Sequence, residues 1–260
     1  MTALSVNLNK IAWLRNARGG DTPSLGTAAE TVITAGAAGL TVHPRPDQRH
    51  IRATDVPVLA EVLQANPALE YNIEGNPFAG ARDNGYPGFD ALIEAARPAQ
   101  ATLVPDDDQQ LTSDHGFDLR GDQSLLRDKI ERYQSLGARV SLFMDPDLAQ
   151  IDRAAELGTD RIELYTGPFA EAVATSGADS GAARHSFEQF QAAAVHATSL
   201  GLGVNAGHDL DLPNLPLFLT IPGILEVSIG HALIARALDR GLAASVTAFL
   251  AVIGEAQQAS

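Results

Sequence analysis

Apolar and polar residues alternate with period two in short runs along this 260-residue chain, and Ala- and Leu-rich stretches with helical spacing separate the runs. The runs are LSVNLN (4–9), GLTVHP (39–44), LEYNIEG (69–75), QATLVPD (100–106), ARVSLFMDP (138–146), RIELYTGP (161–168), GLGVNAGHD (201–209) and ILEVSIGHA (224–232). They predict eight strands. Helical spacing covers 25–36, 54–65, 88–97, 123–136, 147–157, 186–200, less clearly 213–220, and a final region from 232 to 257. Gly36, Gly137, Gly158 and Gly201 stand where helices hand over to strands, the place expected of a helix-ending glycine. Eight βα units with no composition shift and no long linker predict an α/β fold over residues 1–260. It is a single (β/α)8 TIM barrel domain with a polar lumen and an additional C-terminal helix. The stretch 171–186, rich in Gly, Ala and Ser, reads as a mobile lid or insertion after the sixth strand.

The polar lumen follows from the alternation itself. A parallel strand buried on both faces normally reads as a continuous apolar run. Here Val6 and Leu8 alternate with Asn7 and Asn9, Leu40 and Val42 with Thr41 and His43, and Ile162 and Leu164 with Glu163 and Tyr165. Leu69, Tyr71 and Ile73 likewise alternate with Glu70, Asn72 and Glu74. Successive strand side chains point to opposite faces, so one face packs under helices and the other lines the barrel interior. Amides and carboxylates are costly to bury unless paired or wetted, which predicts a polar pocket at the barrel mouth.

Composition narrows the chemistry. A hydrophobic content of 45% supports a large core, and the absence of cysteine removes disulfides, thiolate nucleophiles and zinc-thiolate sites. No apolar run reaches membrane-spanning length and the N-terminus lacks a signal-peptide pattern, so the expectation is a cytoplasmic protein without membrane partners. The net charge of −14 repels nucleic acid. The cations are nevertheless clustered: residues 1–52 hold six (Lys10, Arg15, Arg18, Arg45, Arg49, Arg52) against three acids, whereas the remainder carries 12 against 29. A cationic segment in an acidic chain fits either a small-phosphate site or a solvated face.

Active sites of this architecture gather at the C-terminal ends of the strands. The residues found on or after the strands include Asn7, Asn9, Lys10, His43, Arg45, Glu70, Glu74, Glu163, His208, Asp209, Gly230 and His231, with His50 in the loop after the second strand. Histidine exchanges protons near neutral pH, and a partly buried Glu can be tuned to do so. The segment VHPRPDQRHI (42–51) sets a histidine beside up to three cations, the makings of a charge-assisted phosphate grip. Gly230-His231 stands where a strand passes to a helix, whose free N–H groups and positive dipole end form a second cradle. No P-loop, GxGxxG, GxSxG or HExxH pattern occurs, and His43, Glu163 and His208 lack a metal-ligand spacing, so no metal is expected.

Taken in order, VNLNKIAWLRNARGG, GLTVHPRPDQRHI, YNIEG, LVPDD…LTSDHG, RIELYTGP, NAGHDL and EVSIGHALI resemble the pyridoxine 5′-phosphate synthase family along essentially the whole chain. The resemblance implies a transferase of vitamin B6 biosynthesis, a (β/α)8 barrel assembled as a homo-octamer. It implies condensation of 3-amino-2-oxopropyl phosphate with 1-deoxy-D-xylulose 5-phosphate to pyridoxine 5′-phosphate, phosphate and water, with no metal or organic cofactor. Carried onto this sequence, it makes His43 and Glu70 proton acceptors and His208 a proton donor. Asn7, Arg18, Asp209, Gly230 and His231 would hold the aminoketone phosphate; Arg45, His50 and Thr112 would hold the deoxyxylulose phosphate. Glu163 would steer the amine or a water.

Two positions depart from the family pattern. Many members carry Asp-His where this chain has Asn9-Lys10; a lysine can replace a histidine as a phosphate cation, but the acid is gone. The loop after His208 often begins with Gly, and here it begins with Asp209. Two other readings fit the same barrel: a phosphosugar aldolase or isomerase, for which Lys10 would be the Schiff-base lysine, and a non-catalytic phosphate-binding barrel. The latter would be expected to have lost one of His43, Glu70 and His208.

Overall fold

The expected strands form, close to the expected positions, in a computed structural model that describes residues 2–258. They are β1 (Ala3–Asn7), β2 (Gly39–Val42), β3 (Glu70–Gly75), β4 (Gln100–Leu103), β5 (Arg139–Met144), β6 (Arg161–Tyr165), β7 (Gly203–His208) and β8 (Ile224–Ile229). All pair in parallel and in sequence order, and β8 closes on β1 through Leu4↔Val227 and Ser5↔Ser228. The chain is therefore a closed (β/α)8 barrel.

The helices are α1 (Asn9–Asn16), α2 (Leu25–Thr34), α3 (Asp55–Gln64), α4 (Phe89–Ala96), α5 (Ser124–Ser135), α6 (Leu148–Glu156), α7 (Gly167–Ser176), α8 (Gly181–Ser199), α9 (Leu215–Phe218), α10 (His231–Arg240) and α11 (Leu242–Gln258). Local chemistry sets several of their ends. Ser24, Asp147 and Ser180 cap α2, α6 and α8 by accepting first-turn N–H groups. The four glycines named as helix stops all have positive φ.

The alternation partitions the strands as expected. Leu4, Val6, Leu40, Val42, Ile73, Leu142, Ile162 and Leu164 are buried on the helix side. Ser5, Thr41, Asn72, Thr102, Ser141 and Asn205 are buried in the lumen. There they bond one another: Ser5 Oγ lies 2.7 Å from Thr41 Oγ1, and Thr102 Oγ1 donates to Asn72 Oδ1 at 3.0 Å. Below this layer, at the N-terminal end of the barrel, Arg139 joins Glu70 and Gln100. Arg161 donates to Asn205 at 2.9 Å and stands 3.9 Å from Glu226. Pairing of this kind makes a polar interior tolerable.

Three expectations need correction. The first strand ends at Asn7, not Asn9, because Asn7 Oδ1 accepts the Asn9 N–H at 2.9 Å and turns the chain into a helix the periodicity did not reveal. Residues 171–186 are mostly helix and not an irregular loop: they hold the end of α7, a short turn and the start of α8, two helices between β6 and β7. Pro168 in the first turn of α7 explains why the sixth strand stops at Tyr165. The final helical region is two helices, divided at Gly241 with φ +81°.

Candidate active site

A cavity of about 290 Å³ opens at the C-terminal end of the barrel. Side chains from β1, β3, β6 and β7, the β2–α3 and β4–α5 loops, and the start of α10 converge on it. Of the residues singled out from the sequence, Asn7, Lys10, His43, Arg45, His50, Thr112, Glu163, His208, Asp209, Gly230 and His231 line it, as do Asn9 and Glu74.

Two do not. Glu70 is the first residue of β3 and pairs with Arg139 at the opposite end of the barrel. Glu74, four residues on and on the same strand face, is the β3 carboxylate in the cavity. Four residues of parallel strand span roughly 13 Å, so the two acids cannot exchange places. Arg18 lies beyond α1, exposed and outside the cavity lining. It is Arg15 of that motif that is buried, in a two-pronged pair with Asp55 at 2.5 and 2.9 Å.

One wall is cationic and held by backbone. Arg15 Nη2 and Asn16 Nδ2 donate to the His50 carbonyl at 3.2 and 2.8 Å, pinning the loop that carries His50. Arg45 Nη1 is 2.9 Å from Asp106 Oδ2, and its Nη2 donates to the carbonyls of Asp107 and Gln110. The residue after β2 is tied to the start of α1: Asn9 Oδ1 accepts the His43 N–H at 2.9 Å. Lys10 stands 4.7 Å over the Trp13 ring, and burial followed by the nearby Arg49 charge lowers its pKa.

Burial and charge set the protonation states. Desolvation, then the Arg45 and Arg49 charges, depress the His43 pKa to about 3, and burial with the His43 and Arg45 charges holds His50 well below its ordinary value. Both imidazoles are neutral at pH 7. His50 Nδ1 accepts the Ile51 N–H at 2.9 Å, so its hydrogen sits on Nε2. Among the carboxyls, burial and the Glu226 charge push Glu163 up to about 8. Burial and the neighbouring Glu163, Asp106 and Glu226 charges raise Glu74 well above the usual carboxylate range. Asn7 Nδ2 donates to Glu74 Oε2 at 3.3 Å.

The facing wall is built from β7, β8 and α10. Glu163 Oε1 lies against Gly207 so closely that a Cβ there would collide with it. Gly230 packs on Asn7, where a Cβ would meet the Asn7 side chain at 3.1 Å, and no side chain caps the N-terminus of α10 behind it. His208 ends β7 with φ +90°, its Nε2 2.7 Å from Thr112 Oγ1 and its Nδ1 2.7 Å from Asp209 Oδ2. The cavity thus joins neutral imidazoles, protonatable carboxyls, a basic wall and a helix N-terminus.

Sequence reasoning missed Asp106. It is buried, bonded to Ser113 Oγ at 2.8 Å and to Arg45, and 3.7 Å from His43 Nε2. It looked like the tail of the fourth strand, and only its contacts reveal it.

The family described as pyridoxal phosphate biosynthesis protein PdxJ matches residues 4–255. A pyridoxine 5′-phosphate synthase of Xanthomonas axonopodis pv. citri is 56% identical over 97% of this chain and 96% of its own. One from Xylella fastidiosa is 51% identical over 97% and 95%. Among solved structures, phosphoribosyl anthranilate isomerase from Thermotoga maritima superposes with a TM-score of 0.57 at 14% identity, covering 98% of this chain and all of its own. At that identity it shares the fold alone. With a family match from end to end and relatives more than half identical, the chain belongs to the pyridoxal phosphate biosynthesis protein PdxJ family.

Proposed function

We propose that this cavity condenses 3-amino-2-oxopropyl phosphate with 1-deoxy-D-xylulose 5-phosphate to pyridoxine 5′-phosphate, phosphate and water, with proton transfer divided among His43, Glu74 and His208. The observation that carries the reading is the enclosure of these groups and Glu163 in one cavity between a basic wall and a helix N-terminus. A condensation that runs through imine formation, phosphate elimination, ring closure and aromatisation is mostly proton transfer around carbons held by their phosphates.

The roles are those the family resemblance carries onto these positions, with Glu74 taking the place of Glu70. Arg45, His50 and Thr112 hold the ketose phosphate, and a dianion there offsets the Arg45 and Arg49 charges that, after burial, keep His43 a weak base. His43 and Glu74 accept protons; buried Glu74, once ionised, is a stronger base than an exposed carboxylate. His208 donates from Nε2. Asn7, Gly230 and His231, at the N-terminus of α10, hold the aminoketone phosphate, with Asp209 alongside. Lys10 adds a cation at the mouth, and Glu163, protonated at pH 7, presents a hydrogen-bonding carboxyl to the amine or a water. Arg18 reaches no substrate within one chain. In a cytoplasmic homo-octamer it would stand where chains meet, a reading supported by Leu14, left 50% exposed on the same segment. No helix among the described residues is long and apolar enough to cross a membrane.

The test is a coupled assay with both phosphorylated substrates, following pyridoxine 5′-phosphate by absorbance and fluorescence, beside His208→Ala. Product that forms with the native chain and collapses in the variant supports the assignment. Folded protein that makes none overturns it.

A further inference from the structure

His208 is gripped from both sides. Its Nδ1 lies 2.7 Å from a carboxylate oxygen of Asp209, and its Nε2 lies 2.7 Å from the Thr112 hydroxyl of the β4–α5 loop. The Tyr165 ring stands edge-on at 5.3 Å and fixes the plane of the imidazole. The backbone at His208 adopts φ +90°, a conformation that residues with a Cβ rarely take and that aims the ring into this gap.

The two partners are chemically different. A carboxylate only accepts hydrogen bonds, whereas a hydroxyl can give or take one. With Asp209 ionised, Nδ1 must carry a hydrogen whether the ring is neutral or charged. Burial pushes the Asp209 carboxyl up, but the hydrogen bond from His208 and the charges of His208 and His231 hold it below its ordinary value, so it is ionised at neutral pH. The neutral ring then accepts from Thr112 at Nε2, and the charged ring donates to it. Nε2 is therefore the nitrogen whose proton comes and goes, and its partner Thr112 lines the cavity.

We infer that Asp209 is a positioning residue: its carboxylate locks His208 in the Nδ1–H tautomer and so makes Nε2 the atom that delivers the proton, with Thr112 as the hydroxyl that Nε2 meets. This rests on the reading of His208 as proton donor and assigns the Asp209 side chain a task other than touching a phosphate. An anion set beside a phosphate would repel it, whereas an anion spent on Nδ1–H has a partner.

The test combines nitrogen-15 NMR of the histidine rings in the substrate-free enzyme with steady-state kinetics, on Asp209→Ala, Asp209→Glu and Thr112→Val. In the native chain the neutral His208 ring carries its hydrogen on Nδ1. Asp209→Ala moves it toward Nε2, Asp209→Glu restores it, and Thr112→Val leaves it on Nδ1. Exchanging the carboxylate partner of a buried catalytic histidine costs about 10⁴ in kcat where it has been measured in serine proteases. Here the Asp209 side chain is 40% exposed, and the expected loss in Asp209→Ala is about 10- to 100-fold in kcat with both KM values within about twofold. An unchanged tautomer in Asp209→Ala overturns the inference, as does a raised KM for the aminoketone phosphate at unchanged kcat. The NMR readout needs no turnover, so it decides what Asp209 does to the ring even if the native chain proves inactive; in that case the synthase assignment, not the tautomer lock, is what fails.

Discussion

Glu226 offers a measurement of what a polar lumen costs. Its carboxyl sits 4% exposed near the floor of the barrel, 3.9 Å from Arg161, with Oε1 lacking a hydrogen-bond partner among the described residues. Burial, then the Glu70 charge, raises its pKa from 4.5 to about 7, against the pull of Arg161 and Arg139. A carboxyl whose folded pKa is raised contributes stability that is fully present below its unfolded pKa and lost as pH rises through the folded one. The shift from 4.5 to about 7, at 1.36 kcal/mol per unit, makes that loss about 3 kcal/mol between pH 4.5 and pH 8. Glu226→Gln keeps the shape and cannot ionise. Relative to the native chain, the variant should gain about 3 kcal/mol across that interval, whatever constant offset comes from losing the Arg161 partner. Urea unfolding at one protein concentration, from pH 4.5 to pH 8.5, measures the difference with any association held fixed. A difference between the two proteins that stays flat with pH within about 0.5 kcal/mol, the usual surface-mutation scatter, would refute the reasoning.

Other expectations are direct. Glu74→Gln should lower kcat by about 10²- to 10⁴-fold, the range of a lost general base, while Glu70→Gln keeps kcat within about twofold; the reverse pattern in the coupled assay would restore Glu70 to the site. Gly207→Ala drives a methyl into Glu163 Oε1 and should cost about 1–3 kcal/mol by denaturant titration together with a fall in kcat; an unaffected enzyme would mean that the Glu163 carboxyl is not fixed there. Arg15→Met leaves Asp55 buried without its pair and should destabilise by about 3–5 kcal/mol. Because Arg15 also holds the His50 loop, KM for the ketose phosphate should rise more than KM for the aminoketone in Arg15→Lys, and equal changes in steady-state kinetics would remove that link.

The barrel was legible in the sequence because its two signals are local. Period-two alternation marks a strand wherever one face meets a different environment from the other, and helix-ending glycines and capping Ser or Asp residues act within a turn. The helices α1 and α7 escaped because their onsets depend on an Asn7 side chain folding back on its own backbone and on a Thr-Gly-Pro turn, inside stretches that still read as strand. The basic segment and the strand-end histidines also pointed to the cavity, since a parallel barrel places every strand end on one face.

The division between Glu70 and Glu74 shows where that reasoning stops. Both occupy the same face of one strand, so periodicity gives them the same weight; their separation along the barrel axis puts one on the floor with Arg139 and the other beside Asn7. Arg15 and Arg18 are divided in the same way, one buried against Asp55 and one left outside the cavity. Asp106 and the Asp209–His208–Thr112 contact join residues from different βα loops, up to 97 positions apart in the case of Thr112 and Asp209. The sequence by itself determined the alternation, the number of βα units and the kinds of chemical group available. Which carboxylates line the cavity, which are spent on arginines, and which nitrogen of His208 meets Thr112 were decided only when the barrel closed, because burial and charge depend on neighbours in space and not on spacing along the chain.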